Sequence, residues 1–146
     1  MASDTQTQET VQRFYEATGE TFTNLLHEVL IDDVVLHDPH LEDIQGHDRV
    51  EHYYASFHNA FPNITFTVDD MFMADDLIAV RWTAEGTHEA AFWGIDSTGN
   101  EMHLSGIDIV QVTDGQISEV WTVYDSATLL QQLGIELPVT PLNGDA

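Results

Sequence analysis

The chain contains no cysteine and no lysine, and its only strong cations are Arg13, Arg49 and Arg81. Without cysteine there is no disulfide and no thiolate metal site, and cysteine usage says nothing about redox compartment. Phosphate backbones are held by clustered Lys and Arg, so this chain is expected to have no nucleic-acid partner. An anionic membrane surface is excluded on the same ground. Apolar runs are far shorter than the ~20 residues of a membrane span. The opening stretch "MASDTQTQET" has neither the basic region nor the apolar run of a secretion signal, so a cytoplasmic protein is expected. Internal repeats and a Pro/Gly-rich linker are missing too. The reading is one domain over residues 1–146, with a core at about 11–134 and a loose acidic tail at 135–146.

Acid is what the chain has in excess. Asp and Glu number 26, for a formal net charge of −23, yet 42% of residues are hydrophobic, an ordinary share for a folded domain. The acids are spread between apolar periodic segments rather than gathered in a tail. An evenly acidic, lysine-free surface resembles those of salt-accumulating haloarchaea, and a high-salt cytosol is the expected setting. At ~1 M salt the screening length falls to ~3 Å, so like charges on such a surface stop repelling one another.

Periodicity divides the chain in two. "TQETVQRFYEATG" and "TFTNLLHEVL" carry apolar residues at helical spacing, and Gly19 follows the first. A short extended piece, Val34 to Leu36, ends at Pro39. After Gly46, Val50, Tyr53, Tyr54 and Phe57 form one stripe of a third helix. From Ile64 the period becomes two: "ITFTV", "MFMA", "LIAVRWTAEGTH", "MHLSGIDIVQV" and "QISEVWTVYD" read as strands, with Asp114-Gly115 the strongest hairpin signal. A last helix covers Ser126 to Leu133. Helices first and an antiparallel meander after predict an α+β fold, a curved sheet with the helices on its concave face. The cone between them is the natural pocket.

Strict alternation places Ile117, Glu119, Trp121, Val123 and Asp125 on one face of the last strand. Asp125 then points where a tryptophan points, and an apolar wall would raise its pKa toward working range. The same residue precedes "SATLLQQLG" as a good helix N-cap, so both readings stand. Alternation also puts His88 on the face of Ile78, Val80, Trp82 and Ala84.

The order "HDP", "FPN", "GTHEAAFWGIDSTGN", "GIDIVQVTDGQISEVWTVYD" and "QQLG" resembles the SnoaL-like polyketide cyclase or ester cyclase family. That family shares the cone fold of nuclear transport factor 2. The resemblance implies a cofactor-independent enzyme acting on a small hydrophobic carbonyl compound, as in an intramolecular aldol cyclisation or a related isomerisation. It maps the family's acid/base aspartate onto Asp125. His88 is the expected catalytic partner, and His37, Trp82, Phe92, His103 and Trp121 are the expected substrate contacts. The rival reading is a non-catalytic module that uses the cone to bind a small molecule or a protein.

No metal is expected. His47, His52 and His58 step by five and six residues, which does not place ligands on one helical face, although Glu51 falls four after His47. Glu119 is a candidate partner for Arg81. Outward apolar residues, with Leu104, Val110, Val112, Val120 and Tyr124 assigned to the convex side, predict a homodimer or higher homo-oligomer. The charge balance generates one direct expectation. The melting temperature should drop steeply as salt falls from molar levels to ~0.1 M, where the screening length reaches ~10 Å. A melting temperature constant across that range overturns the salt-adapted reading.

Overall fold

In a computed structural model, described over residues 3–137, helices come first and a six-stranded sheet is completed behind them. Helix α1 (Asp4–Glu16) starts at a capping box, Ser3 accepting from the Gln6 amide while the Gln6 side chain accepts from the Ser3 amide. Helix α2 (Gly19–Val29) runs straight into strand β1 (Leu30–His37). The short strand β2 (Ile44–Gln45) leads into helix α3 (His47–Ala60). Strands β3 (Thr65–Ala74), β4 (Leu77–Thr87), β5 (Glu101–Thr113) and β6 (Gln116–Tyr124) follow, then helix α4 (Ser126–Gln132). None of the described helices is long and apolar enough to cross a membrane.

The sheet order is β2-β1-β6-β5-β4-β3. From β3 to β6 it is the expected meander, and the β5–β6 connection is tight, with Asp114 and Gly115 both at positive φ (50° and 81°). "ITFTV" and "MFMA" form one strand with a register shift between Val68 and Asp70. One pairing departs from an antiparallel sheet: β1 lies parallel to β6, with Leu36 opposite Val120. It begins at Leu30, earlier than the sequence pattern suggests, because Leu30, Val34 and Leu36 bury their side chains as strand residues. The expected tail lies outside the described residues from 138 onward.

Helices α1 and α3 pack against the concave face, α1 beside β3 and α3 beside β1. The core between the layers is continuous, from Val11, Leu25 and Leu26 on the helices to Ile78, Val80, Val110 and Val120 on the sheet.

The faces of β6 correct the sequence reading. Val112 pairs with Ile117 but Gln111 pairs with Glu119, so Ser118 is an extra residue on β6. Such a bulge shifts the alternation by one. Ile117 is buried before it; after it the buried positions are Val120, Thr122 and Tyr124, while Val123 and Asp125 are exposed. Leu104, Val110, Val112, Val120 and Tyr124, expected on the convex side, are all core residues. On β5 the stretch Ile107 to Val112 has apolar residues on both faces, so the period of that stretch alone does not choose between them. The convex side instead carries Ile107 and Val123, 54% and 63% exposed.

Gly106 fits one requirement of this packing. It lies opposite Trp82 in the β4–β5 register, and the indole lies directly over it. A Cβ at position 106 would stand 2.3 Å from Trp82 Cζ2. Gly106→Ala should therefore push the indole from its seat and destabilise the fold by about 1–3 kcal/mol. Denaturant unfolding with near-ultraviolet circular dichroism reads both effects; unchanged stability together with an unchanged tryptophan signal contradicts this account.

Candidate functional site

Between helices and sheet lies a narrow cavity of about 50 Å³. Helix α1 contributes Phe14 and Tyr15, α2 Phe22, and α3 Tyr53, Tyr54, Phe57 and His58. The sheet supplies Phe66, Trp82, Leu104, Asp108, Thr122 and Tyr124. Rings meet edge to face around much of the wall, Phe14 with Tyr15 at 5.2 Å and Phe66 with Trp82 at 5.4 Å among them. A wall of this kind suits a flat apolar ligand.

One carboxylate faces this apolar wall. Asp108 is 5% exposed and shares its face of β5 with Leu104, Gly106 and Val110. The Tyr15 hydroxyl donates to Asp108 Oδ2 at 2.5 Å. Burial pushes the Asp108 pKa up, and nearby Asp38 pushes the same way; Thr122, Tyr15 and Trp82 act against the rise. Thr122 and Trp82 favour the charge by proximity rather than by a well-formed bond. Trp82 Nε1 and Asp108 Oδ1 both remain without a hydrogen-bond partner among the described residues. A buried donor and a buried acceptor are thus left unpaired beside the cavity, at a cost that a ligand able to bond both would remove.

A second buried acid stands behind the wall residues Tyr53 and Tyr124. Asp38 Oδ1 accepts from the His40 amide and from His40 Nδ1, at 2.8 and 2.7 Å. Its Oδ2 accepts from Tyr53 at 2.6 Å and from Tyr124 at 3.3 Å. Both phenols have pKa values raised, chiefly by burial, so they stay protonated as donors. Unlike Asp108, Asp38 has every oxygen engaged. On the helical side His58 stacks on Phe22 at 4.2 Å, and burial lowers its pKa, which favours a neutral imidazole in the apolar wall.

The residues singled out from sequence disperse. Asp125 is exposed and caps α4: Oδ1 accepts from the Thr128 amide at 3.1 Å and Oδ2 from its hydroxyl at 2.7 Å. The alternation that aims it inward fails at the Ser118 bulge, and Trp121 is turned to the convex side with it. His88 is fully buried as expected, but it does not border the cavity. Its Nδ1 meets the Thr98 hydroxyl and amide at 2.9 and 3.2 Å, fastening the 88–100 loop. Phe92 packs behind the cavity wall, 5.2 Å from Phe57 and 5.5 Å from Phe61. His37 sits between Asp43 (2.8 Å) and Glu119 (2.5 Å) and stacks on Trp121. The Glu119 bond is the main reason its pKa is raised. His103 is exposed beside Glu85. Arg81 pairs with Asp70 at 2.6 Å rather than with Glu119. Of the expected contacts, Trp82 alone lines the cavity.

The residue that sequence reasoning misses is Asp108. Its signal is present in "MHLSGIDIVQV", an acid in phase with Met102, Leu104, Val110 and Val112. Elsewhere, His27, His47 and Glu51 bring ligand atoms within 4.8 Å of one another at the surface. His47 Nε2 donates to the Leu26 carbonyl at 3.0 Å, which leaves Nδ1 toward Glu51. That trio is the metal-compatible cluster among the described residues.

The sequence profile described as SnoaL-like polyketide cyclase matches residues 9–133. No match was found among curated proteins. Among solved structures, a proposed SnoaL-like polyketide cyclase from Jannaschia sp. CCS1 superposes with TM-score 0.85 at 17% identity, covering 94% of this chain and 99% of that one. IdmH, a proposed polyketide cyclase from Streptomyces antibioticus, is 30% identical at TM-score 0.75, over 89% of this chain and 99% of its own. The phenazine biosynthesis-related protein PhzB2 from Pseudomonas aeruginosa shares the fold at TM-score 0.79 and 17% identity, over 97% and 94% of the two chains.

Proposed function

The chain belongs to the SnoaL-like polyketide cyclase family, and from that premise we propose a cofactor-independent enzyme in which Asp108 is the general acid/base. The observation that carries the reading is a buried carboxylate, its pKa raised and one oxygen unpaired, in a pocket walled by aromatic rings. The substrate class is a flat, hydrophobic carbonyl compound with an acidic C–H between two carbonyl groups. Asp108 Oδ1 takes that proton. The Trp82 indole N–H donates to the enolate oxygen, and Tyr15 holds Oδ2 in place. The enolate carbon adds to a second carbonyl of the same molecule, and the new alkoxide recovers the proton from Asp108. Substrate and product are isomers, so the step balances without an added cofactor or metal.

A raised pKa leaves Asp108 protonated, and idle as a base, at the acid end. Activity should therefore rise with pH through a value above the ordinary carboxylate range. The sign for stability is opposite. Burial favours the neutral acid, so this residue's contribution is fully present below the usual carboxylate pKa and is lost as pH rises through the folded value. Asp108→Asn keeps the Tyr15 bond and cannot accept a proton. It should lower turnover of a cyclisable diketo ester by about 10²–10⁴-fold, the usual worth of a positioned base. It should also leave the fold at least as stable at neutral pH. Asp125→Asn, still a good cap, should leave turnover unchanged; loss of activity there with retention in Asp108→Asn reverses the assignment.

The rival, a binding module without turnover, would show ligand protection with no product in the same assay. We also propose that two copies associate through the convex face, where Ile107, Trp121 and Val123 form an apolar strip beside Arg81. Light scattering in high salt should give twice the chain mass, and Val123→Glu should give one; a wild-type monomer at high concentration removes the interface.

A further inference from the structure

Outside the pocket wall, three side chains from separate parts of the fold form a second polar array. Ser126 Oγ lies 2.8 Å from His40 Nε2, and His40 Nδ1 lies 2.7 Å from Asp38 Oδ1. The Asp38 side chain has no exposed surface, whereas that of His40 is 31% exposed. A serine, an imidazole and a buried carboxylate in this order and at these distances are the parts of a nucleophilic triad, which is recognised by geometry and roles rather than by fold.

The hydrogen-bond roles agree with that geometry. A carboxylate only accepts, so Nδ1 carries a proton toward Asp38 and Nε2 of the neutral ring is the acceptor for the Ser126 hydroxyl. Asp38 is fixed from the other side by Tyr53 and by the His40 amide, which holds the imidazole in one tautomer and one orientation. Beside His40, Trp93 is held at φ 50° in a two-residue turn closed by Phe92 and Ile95. A bulky residue at positive φ is costly. Here it presents a 44% exposed indole 5.5 Å from the imidazole, an apolar platform beside His40.

We propose that Ser126, His40 and Asp38 form an acyl-transfer site that hydrolyses uncharged esters with a flat apolar acyl group. The site is separate from Asp108, and the proposal does not rest on the cyclase reading. Ser126 Oγ bonds to the ester carbonyl carbon while its proton moves to His40 Nε2. Collapse expels the alkoxide, which takes that proton and leaves as the alcohol. Water then attacks the acyl-serine, gives its proton to Nε2, and releases the carboxylic acid with Ser126 restored. The net charge of −23 disfavours anionic esters.

A fluorophosphonate tests the serine directly, since Oγ displaces fluoride and stays bonded to phosphorus. Intact-mass analysis of the full chain should show one adduct, on Ser126 by peptide mapping, and none in Ser126→Ala. His40→Asn should slow labelling by about 10⁶-fold, the scale set by loss of a triad base. Because the chain has no cysteine of its own, Ser126→Cys supplies a second readout. Its thiol should react with chloroacetamide far faster than the same thiol in a His40→Asn background. No adduct on wild type under conditions that label a serine esterase overturns the proposal, and so does an adduct that persists in Ser126→Ala. Equal thiol reactivity with and without His40 overturns it too, leaving the array a clamp between loop and helix.

Discussion

From α1 to the middle of the sheet, the Tyr15 hydroxyl reaches across the cavity to Asp108, a contact between residues 93 positions apart. Two demands meet in that bond. A carboxylate cannot be left in an apolar interior without donors, and a helix laid over a sheet edge must be kept in register with it. With lysine absent and all three arginines exposed, the interior has no ammonium or guanidinium to offer. It uses phenols. Tyr15 serves Asp108, while Tyr53 and Tyr124 serve Asp38, and the aromatic lining of the cavity follows from needing those rings there.

Both buried acids are consequently defined by what they lack as much as by what they touch. Asp38 has donors on both oxygens and is a fixed point, tying the 38–43 segment to α3 and β6. Asp108 has one oxygen bonded and one open, which is the arrangement a proton carrier needs. A single missing donor separates a carboxylate that holds its neighbours in place from one that is free to take a proton.

Much of the architecture is legible from periodicity. Val50, Tyr53, Tyr54 and Phe57 mark α3, the Asp114-Gly115 pair marks the last hairpin, and the change of period at Ile64 marks the start of the meander. The site is less legible, for a physical reason. Alternation along β6 holds only until Ser118, and one unpaired residue there reverses every later side chain. Periodicity alone therefore aims Asp125 and Trp121 inward. Asp108 escapes notice because its immediate neighbours Ile107, Ile109 and Val110 put apolar residues on both faces, so its phase shows only against Met102, Leu104 and Val112 further along the strand. His88 shows the complementary limit. Its face follows from alternation, but the Thr98 contacts that occupy it come from a loop ten residues on and leave no periodic trace.

The phenol-held acids also separate the molecule into two electrical worlds. On the outside, ions from the medium reach each carboxylate and set how strongly it feels its neighbours. Inside, Asp38 and Asp108 are buried and held by short O–H bonds. A chain built this way can rewrite its entire surface charge without retuning the groups at its centre. Its coat and its chemistry are free to evolve as independent traits.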